Sequence, residues 1–215
     1  MSPSELALPL RRTQAERRQE TEQALLAAAT RLFARIGIDN ASLADIGEEA
    51  GYSRGLVNHR FGSKAAFVER LAGDSQTAFI DALDQSHPSG EIATLFQVID
   101  TYLDRVSEES TASRSFFVMW GAALPSSSAL RPIFMADDAR FRNGIEAIIR
   151  TGQAKGRIES TVDAKSFAVA FVGLLRGVGA QYMIDPEAVD LAPCKTTIVG
   201  FVESVLTTSP PNPST

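Results

Sequence analysis

The sequence predicts an all-α protein on three observations. Apolar residues recur at helical spacing through most of the 215 residues, strand-like alternation is absent, and Pro and Gly fall mainly at segment ends. Nine helices with short connections follow from that pattern. Residues 1–16 carry Pro3 and Pro9 and no clear period, and read as a flexible basic arm. The first helix spans about 17–36, with Leu25, Ala29, Leu32 and Ile36 on one stripe and Gly37 as its stop. Two short helices are expected near 42–49 and 53–60. A fourth begins at Ser63 and runs to about His87, ahead of Pro88, Ser89 and Gly90. Five more are expected near 91–110, 114–124, 127–154, 163–184 and 193–207. The closing segment 208–215, TSPPNPST, cannot continue a helix and reads as a disordered tail.

Composition narrows the function classes. With 44% hydrophobic residues the chain can bury a sizeable core. Its single cysteine, Cys194, forms no internal disulfide and supplies no thiolate zinc site. With no secretory leader recognisable, the expectation is a soluble cytoplasmic protein without cofactor or metal. The net charge of −5 is divided unevenly: residues 1–70 carry +1 and the remainder −6. Arg11, Arg12, Arg17 and Arg18 gather positive charge near the start, and local charge sets the field a phosphate feels.

The most informative stretch is NASLADIGEEAGYSRGLVNHRFGSKAAF, residues 40–67. Ser42 and Asp45 form an S-x-x-D capping box, and Leu43, Ile46 and Ala50 follow as an apolar stripe. Gly51 can take the left-handed conformation of a sharp turn, and Ser53 caps the next helix. This is the pattern of a helix-turn-helix over about residues 42–61. In its second helix Val57 and Phe61 face inward, leaving Arg54, Gly55, Asn58 and His59 with no core to serve. Glycine inside a helix costs about 1 kcal/mol relative to Ala, but Gly55 allows close approach to another surface. A DNA major groove rewards that approach, and Arg and Asn suit bidentate contacts to guanine and adenine. Ser53, the helix start and Lys64 are candidates for phosphate contacts.

The stretch from about 17 to 78 resembles the N-terminal domain of TetR/AcrR-type regulators. The resemblance rests on AAATRLFARIGIDNASLADIGEEAGYSRG followed by FGSK. The family commonly has Thr at the position of Ala41, so here Ser42 must carry the cap. It commonly has Tyr at the position of Asn58 and an aromatic residue or His at Arg60. Asn58 therefore reads either a base or a phosphate, and Arg60 can supply the missing phosphate charge. Leu56 stands in place of a small hydroxyl residue and suits a thymine methyl. The resemblance implies a DNA-binding domain over 17–78 and a ligand-binding and dimerisation domain over 79–207. It also implies a homodimer on double-stranded operator DNA, released by a small effector.

The C-terminal part adds support from its own residues. Phe116, Phe117, Met119, Trp120, Phe134, Met135 and Phe141 make it dense in aromatic and Met side chains, the walls an apolar ligand needs. Tyr102, Arg114, Trp120 and Asn143 are the candidate polar anchors. In 163–184, Ser166, Ala170, Gly173, Gly177 and Ala180 form a line of small residues suited to a close two-fold helix contact. The opposite face, with Phe167, Phe171, Leu174 and Val178, is expected to pack inside the subunit. Arg176, in the middle of this run, argues against a membrane span and reads equally as interface residue or pocket cation. Only His59 and His87 are present, no G-x-S-x-G or P-loop appears, and GLLRGVG lacks a preceding strand, so an enzyme is the least favoured class. A repressor responding to a largely apolar effector is the main expectation. A regulator without effector, or an activator, is the alternative.

Overall fold

In a computed structural model that describes residues 13–84, 89–108 and 110–207, nine α-helices and no strands are found among the described residues. The helices are α1 (Gln14–Ile36), α2 (Leu43–Ala50), α3 (Arg54–Arg60), α4 (Lys64–Asp84), α5 (Glu91–Ser107), α6 (Thr111–Ala122), α7 (Arg131–Ala154), α8 (Ala164–Ile184) and α9 (Leu191–Thr207). Most of the arm, the tail at 208–215 and the expected end of the fourth helix at His87 lie outside the described residues.

Local chemistry explains where the helices begin. α1 starts three residues earlier than expected because Thr13 and Glu16 form a reciprocal capping box, so residues 14–16 belong to the helix rather than to the arm. α6 starts at Thr111 because the Ser110 hydroxyl accepts from the Ser113 N–H. α7 starts later than expected, at Arg131, and places Pro132 in the first turn, where its missing N–H costs nothing. The Asp163 carboxylate caps α8 by accepting from the Ser166 N–H at 2.7 Å.

Two cores result, and α4, α6 and α7 take part in both. The first gathers Leu25, Ala29, Phe33, Ile46, Val57, Phe67 and Ala72 from α1–α4. It is completed by Met119 and Ala123 at the end of α6 and by Leu130 and Phe134 around the start of α7. The second gathers Leu95, Ile99, Ile145, Ile149, Phe171, Leu175, Val202 and Leu206 from α5, α7, α8 and α9, with Phe79 of α4 and Phe117 of α6 against its edge. Successive turns of α4 thus serve different cores: Phe67 and Ala72 the first, Phe79 the second. α8 is long and apolar enough to cross a membrane, but here Ala168, Phe171 and Leu175 are buried in the second core.

Candidate nucleic-acid interface and internal cavity

The turn between α2 and α3 is built from backbone and small residues. Ser42 caps α2 as expected: its hydroxyl accepts from the Asp45 N–H, and its own N–H donates to the Asp45 carboxylate at 2.8 Å. That pairing holds the Asp45 carboxyl below its ordinary value. Gly51 sits at φ 76°, ψ 27°, the left-handed conformation, as the turn requires. Gly47 carries no signal in the sequence pattern, yet an added Cβ there would lie 2.8 Å from the Tyr52 carbonyl oxygen and 3.1 Å from Val57. It lets α3 sit tightly on α2. Two guanidiniums, Arg31 at 2.9 Å and Arg35 at 3.1 Å, tie α1 to Glu49 of α2 and hold that carboxyl below its ordinary value.

On α3, Val57 is fully buried, while Ser53, Arg54, Gly55, Asn58 and His59 are exposed on the outer face. Leu56 and Arg60 are half-buried at its edges, and the Arg60 Nε is buried without a hydrogen-bond partner. A Cβ at Gly55 would meet only the Ser53 hydroxyl at 3.9 Å, so no packing inside the chain demands glycine there. The Ser53 hydroxyl accepts from the Leu56 N–H. Lys64, at the start of α4, is half-buried. Its ammonium donates to the Ile38 and Asp39 carbonyls at 2.8 and 3.2 Å, so its charge closes the loop after α1.

The second feature is a cavity of about 230 Å³ walled by α4, α5, α6, α7 and α8. Of the aromatic and polar candidates, Tyr102, Phe116, Phe117 and Phe141 line it. Phe134 does not, because it is buried in the first core. Trp120 faces an outer groove with its indole N–H donating to Asp138 at 3.1 Å. Arg114 donates to the Met183 carbonyl, and Asn143 is exposed. Phe79, Arg105, Asp137 and Arg176 join the wall instead. Their distance along the chain hides them from a sequence reading: α4, α5, α7 and α8 each contribute only one to three residues. Burial pushes the Asp137 carboxyl up, with the Arg176 and Arg140 guanidiniums pulling it back. Burial also pushes the Tyr102 hydroxyl up.

Residues 25–71 match the tetR family of bacterial regulatory proteins, and residues 91–207 match the C-terminal region of BetI-type transcriptional repressors. The chain belongs to the TetR family. It is a helix-turn-helix transcriptional regulator, similar to the regulator TtgR of Pseudomonas putida at 26% identity over 85% of this chain and 89% of that one. It is 22% identical to the regulator BetI 2 of Chromohalobacter salexigens over 89% of each chain. Among solved structures it superposes on Bacillus subtilis FadR in complex with stearoyl-CoA with TM-score 0.76 at 16% identity, covering 86% of this chain and 99% of that one.

In this TetR-family chain the small-residue line of α8 faces outward. Ala170, Gly173 and Gly177 are exposed, Ala180 is half-buried, and nothing lies within 4 Å of a Cβ built at either glycine. Around the line, Val169, Leu174, Phe201 and Val205 expose 37–56% of their surface. Leu174, expected inside the subunit, lies instead at the edge of this apolar face, while Phe171 is buried. The glycine that packs inside is Gly179, where a Cβ would meet the Phe117 ring at 2.6 Å.

Proposed function

We propose that this TetR-family protein is a cytoplasmic repressor that grips a palindromic operator as a homodimer. Release follows when a small, largely apolar effector enters the cavity. The observation that carries this reading is the double duty of α4 and α6. On α4, Phe67, Val68 and Ala72 belong to the core beneath the helix-turn-helix, whereas Gln76 and Phe79 line the cavity. On α6, Met119 belongs to that same core, whereas Ser113, Phe116 and Phe117 line the cavity. α7 also spans the two, with Phe134 in that core and Phe141 on the cavity, so a ligand that spreads the cavity wall shifts three supports of the head. Arg54, Asn58 and, at the edges, Leu56 and Arg60 are the base and phosphate readers, with Ser42, Ser53, Gly55 and His59 at the same surface. Lys64 acts by holding the α1–α2 loop.

The exposed apolar face of α8 and α9 is the dimer seam, with the same stripe from both subunits brought together. Two recognition helices then reach one face of a duplex at half-sites about 10 base pairs apart or a multiple of that. The mechanism is a population shift: effector and operator favour different dimer geometries, so each weakens the other. Bacillus subtilis FadR, solved in complex with stearoyl-CoA, is an instance of this architecture with an apolar-tailed ligand. The test is selection of duplex from a random pool by the full-length protein. Anisotropy titrations of the selected fragment against a panel of apolar compounds follow. Enrichment of a two-fold symmetric sequence, released by at least one compound, is the expected outcome. Absence of any enriched sequence would remove the DNA assignment. Release unchanged by Ser113→Trp, which fills the cavity, would remove the effector site.

A further inference from the structure

Arg176 is buried among aromatic rings. Its guanidinium carbon lies 4.4 Å from the Phe116 ring centroid, 5.8 Å from Tyr102, 5.9 Å from Phe141 and 6.0 Å from Trp120. Its Nη2 donates to Asp138 at 3.1 Å and lies 3.7 Å from Asp137, and its Nη1 reaches the Tyr102 hydroxyl at 3.5 Å. Its Nε is buried with no acceptor. A guanidinium retained for a tight salt bridge uses its fork bidentately on one carboxylate. This one touches two acids with a single nitrogen and leaves Nε unused, while four rings surround it. Aromatic faces with a nearby carboxylate are the chemistry that recognises an organic cation, quaternary ammonium above all.

We propose that Phe116, Tyr102, Phe141 and Trp120, with Asp137 and Asp138, form a cation cage that the chain fills with its own Arg176. The side chain is a built-in plug. It lines both the cavity and the outer groove beside Gly173 and Gly177. With the ring faces taken by its own guanidinium, the cavity rejects quaternary ammonium compounds and accepts neutral apolar ones. This consequence rests on reading the cavity as the effector site; the cage itself does not.

The probe is tetramethylammonium, titrated into the full-length protein and into Arg176→Ala and Arg176→Met. Binding is read from the fluorescence of Trp120, the only tryptophan, and from the melting midpoint. Guanidinium chloride at non-denaturing concentration is the second probe, and tert-butanol the uncharged control. The expected result is that the parent ignores tetramethylammonium. Arg176→Ala should bind it about tenfold more tightly than the parent does, and more tightly than tert-butanol. Guanidinium should restore part of the melting midpoint that the variant loses. Equal tetramethylammonium binding by parent and variant would overturn the proposal, as would folded variants that gain nothing from either cation. Variants that lose their cooperative melt and regain it with neither cation would also overturn it, since Arg176 would then be a structural tie. None of these readouts involves DNA, so a failure of effector-driven operator release leaves them intact.

Discussion

The polar face of α3 comes from 7 consecutive residues, whereas the cavity wall draws side chains from five helices spread between Ser75 and Arg176. That difference decides what each region tolerates. In the head, the candidate readers Arg54, Asn58 and His59 are exposed and support nothing behind them, so they can change without unfolding the domain. In the body, the same side chains that wall the cavity also hold helices together. Phe116 packs on the first core, lines the cavity and lies under Arg176. A substitution there alters packing and ligand contact at once. The proposed dimer face on α8 behaves like the head, with exposed glycines that no neighbour inside the subunit requires.

The largest effect expected from this contrast is at the proposed dimer face. Because a Cβ at Gly177 meets open space, Gly177→Leu should leave the subunit folded while separating the two copies. A monomer holds one half-site and loses the linked second contact, so operator affinity should fall by about a hundredfold or more. Sedimentation and operator titration on one preparation check this. A folded variant that stays dimeric would move the seam elsewhere, and a monomer with full operator affinity would break the link between dimer and DNA.

Next in size are the readers themselves. Arg54→Ala and Asn58→Ala should each cost about 1–3 kcal/mol against operator and leave the melting midpoint where it was. Titration against operator and scrambled duplex separates base reading, which lowers only the first, from phosphate contact, which lowers both. Operator affinity unchanged in both variants would show that α3 is not the recognition helix.

Lys64 reverses that pattern. Its ammonium donates to the Ile38 and Asp39 carbonyls, so Lys64→Ala should lower the stability of the chain by about 1 kcal/mol. The salt dependence of DNA binding should stay close to that of the parent. A flatter salt slope with an unchanged melting midpoint would return Lys64 to the phosphate backbone.

Lys64 also marks where sequence reasoning stops. The caps at Ser42 and Ser53, the turn at Gly51 and the split surface of α3 are set by neighbours within a few residues, so spacing along the chain reveals them. The outward-facing small residues of α8 are legible for the same reason, since one helical period contains them. Lys64 is spent on carbonyls 25 and 26 residues away, and Arg176 on rings up to 74 residues away. Gly47 is required by the backbone of the next turn and Gly179 makes room for the Phe117 ring, and nothing around them in the chain marks them. Aromatic density locates the cavity among α5–α7 but cannot sort Phe141, which lines it, from Phe134, which belongs to the first core.

The smallest expected effect compares the two regions under acid. In the head, Asp45 is held below its ordinary value by Ser42, and Glu49 by Arg31 and then Arg35. A carboxyl lowered in the folded state contributes stability that is complete above its unfolded value, about 4.3 for Glu, and is lost as pH falls through the lowered folded value. In the body, Asp137 has the opposite sign. Burial raises it, so the folded state takes up its proton first, and acid relieves the cost of burying its charge. Glu91, lowered by Lys155, and Asp163, lowered by Ser166, share the head's sign, so the contrast lies between these paired carboxyls and Asp137. The check is the denaturant midpoint of parent, Glu49→Gln and Asp137→Asn, followed from neutral pH down to about pH 3. Glu49→Gln should start less stable than the parent and lose less on acidification, because the paired charge is already gone. Asp137→Asn should lose more than the parent, because it lacks the group whose protonation offsets the loss. Identical acid slopes in all three proteins would mean that neither carboxyl couples to folding in this range.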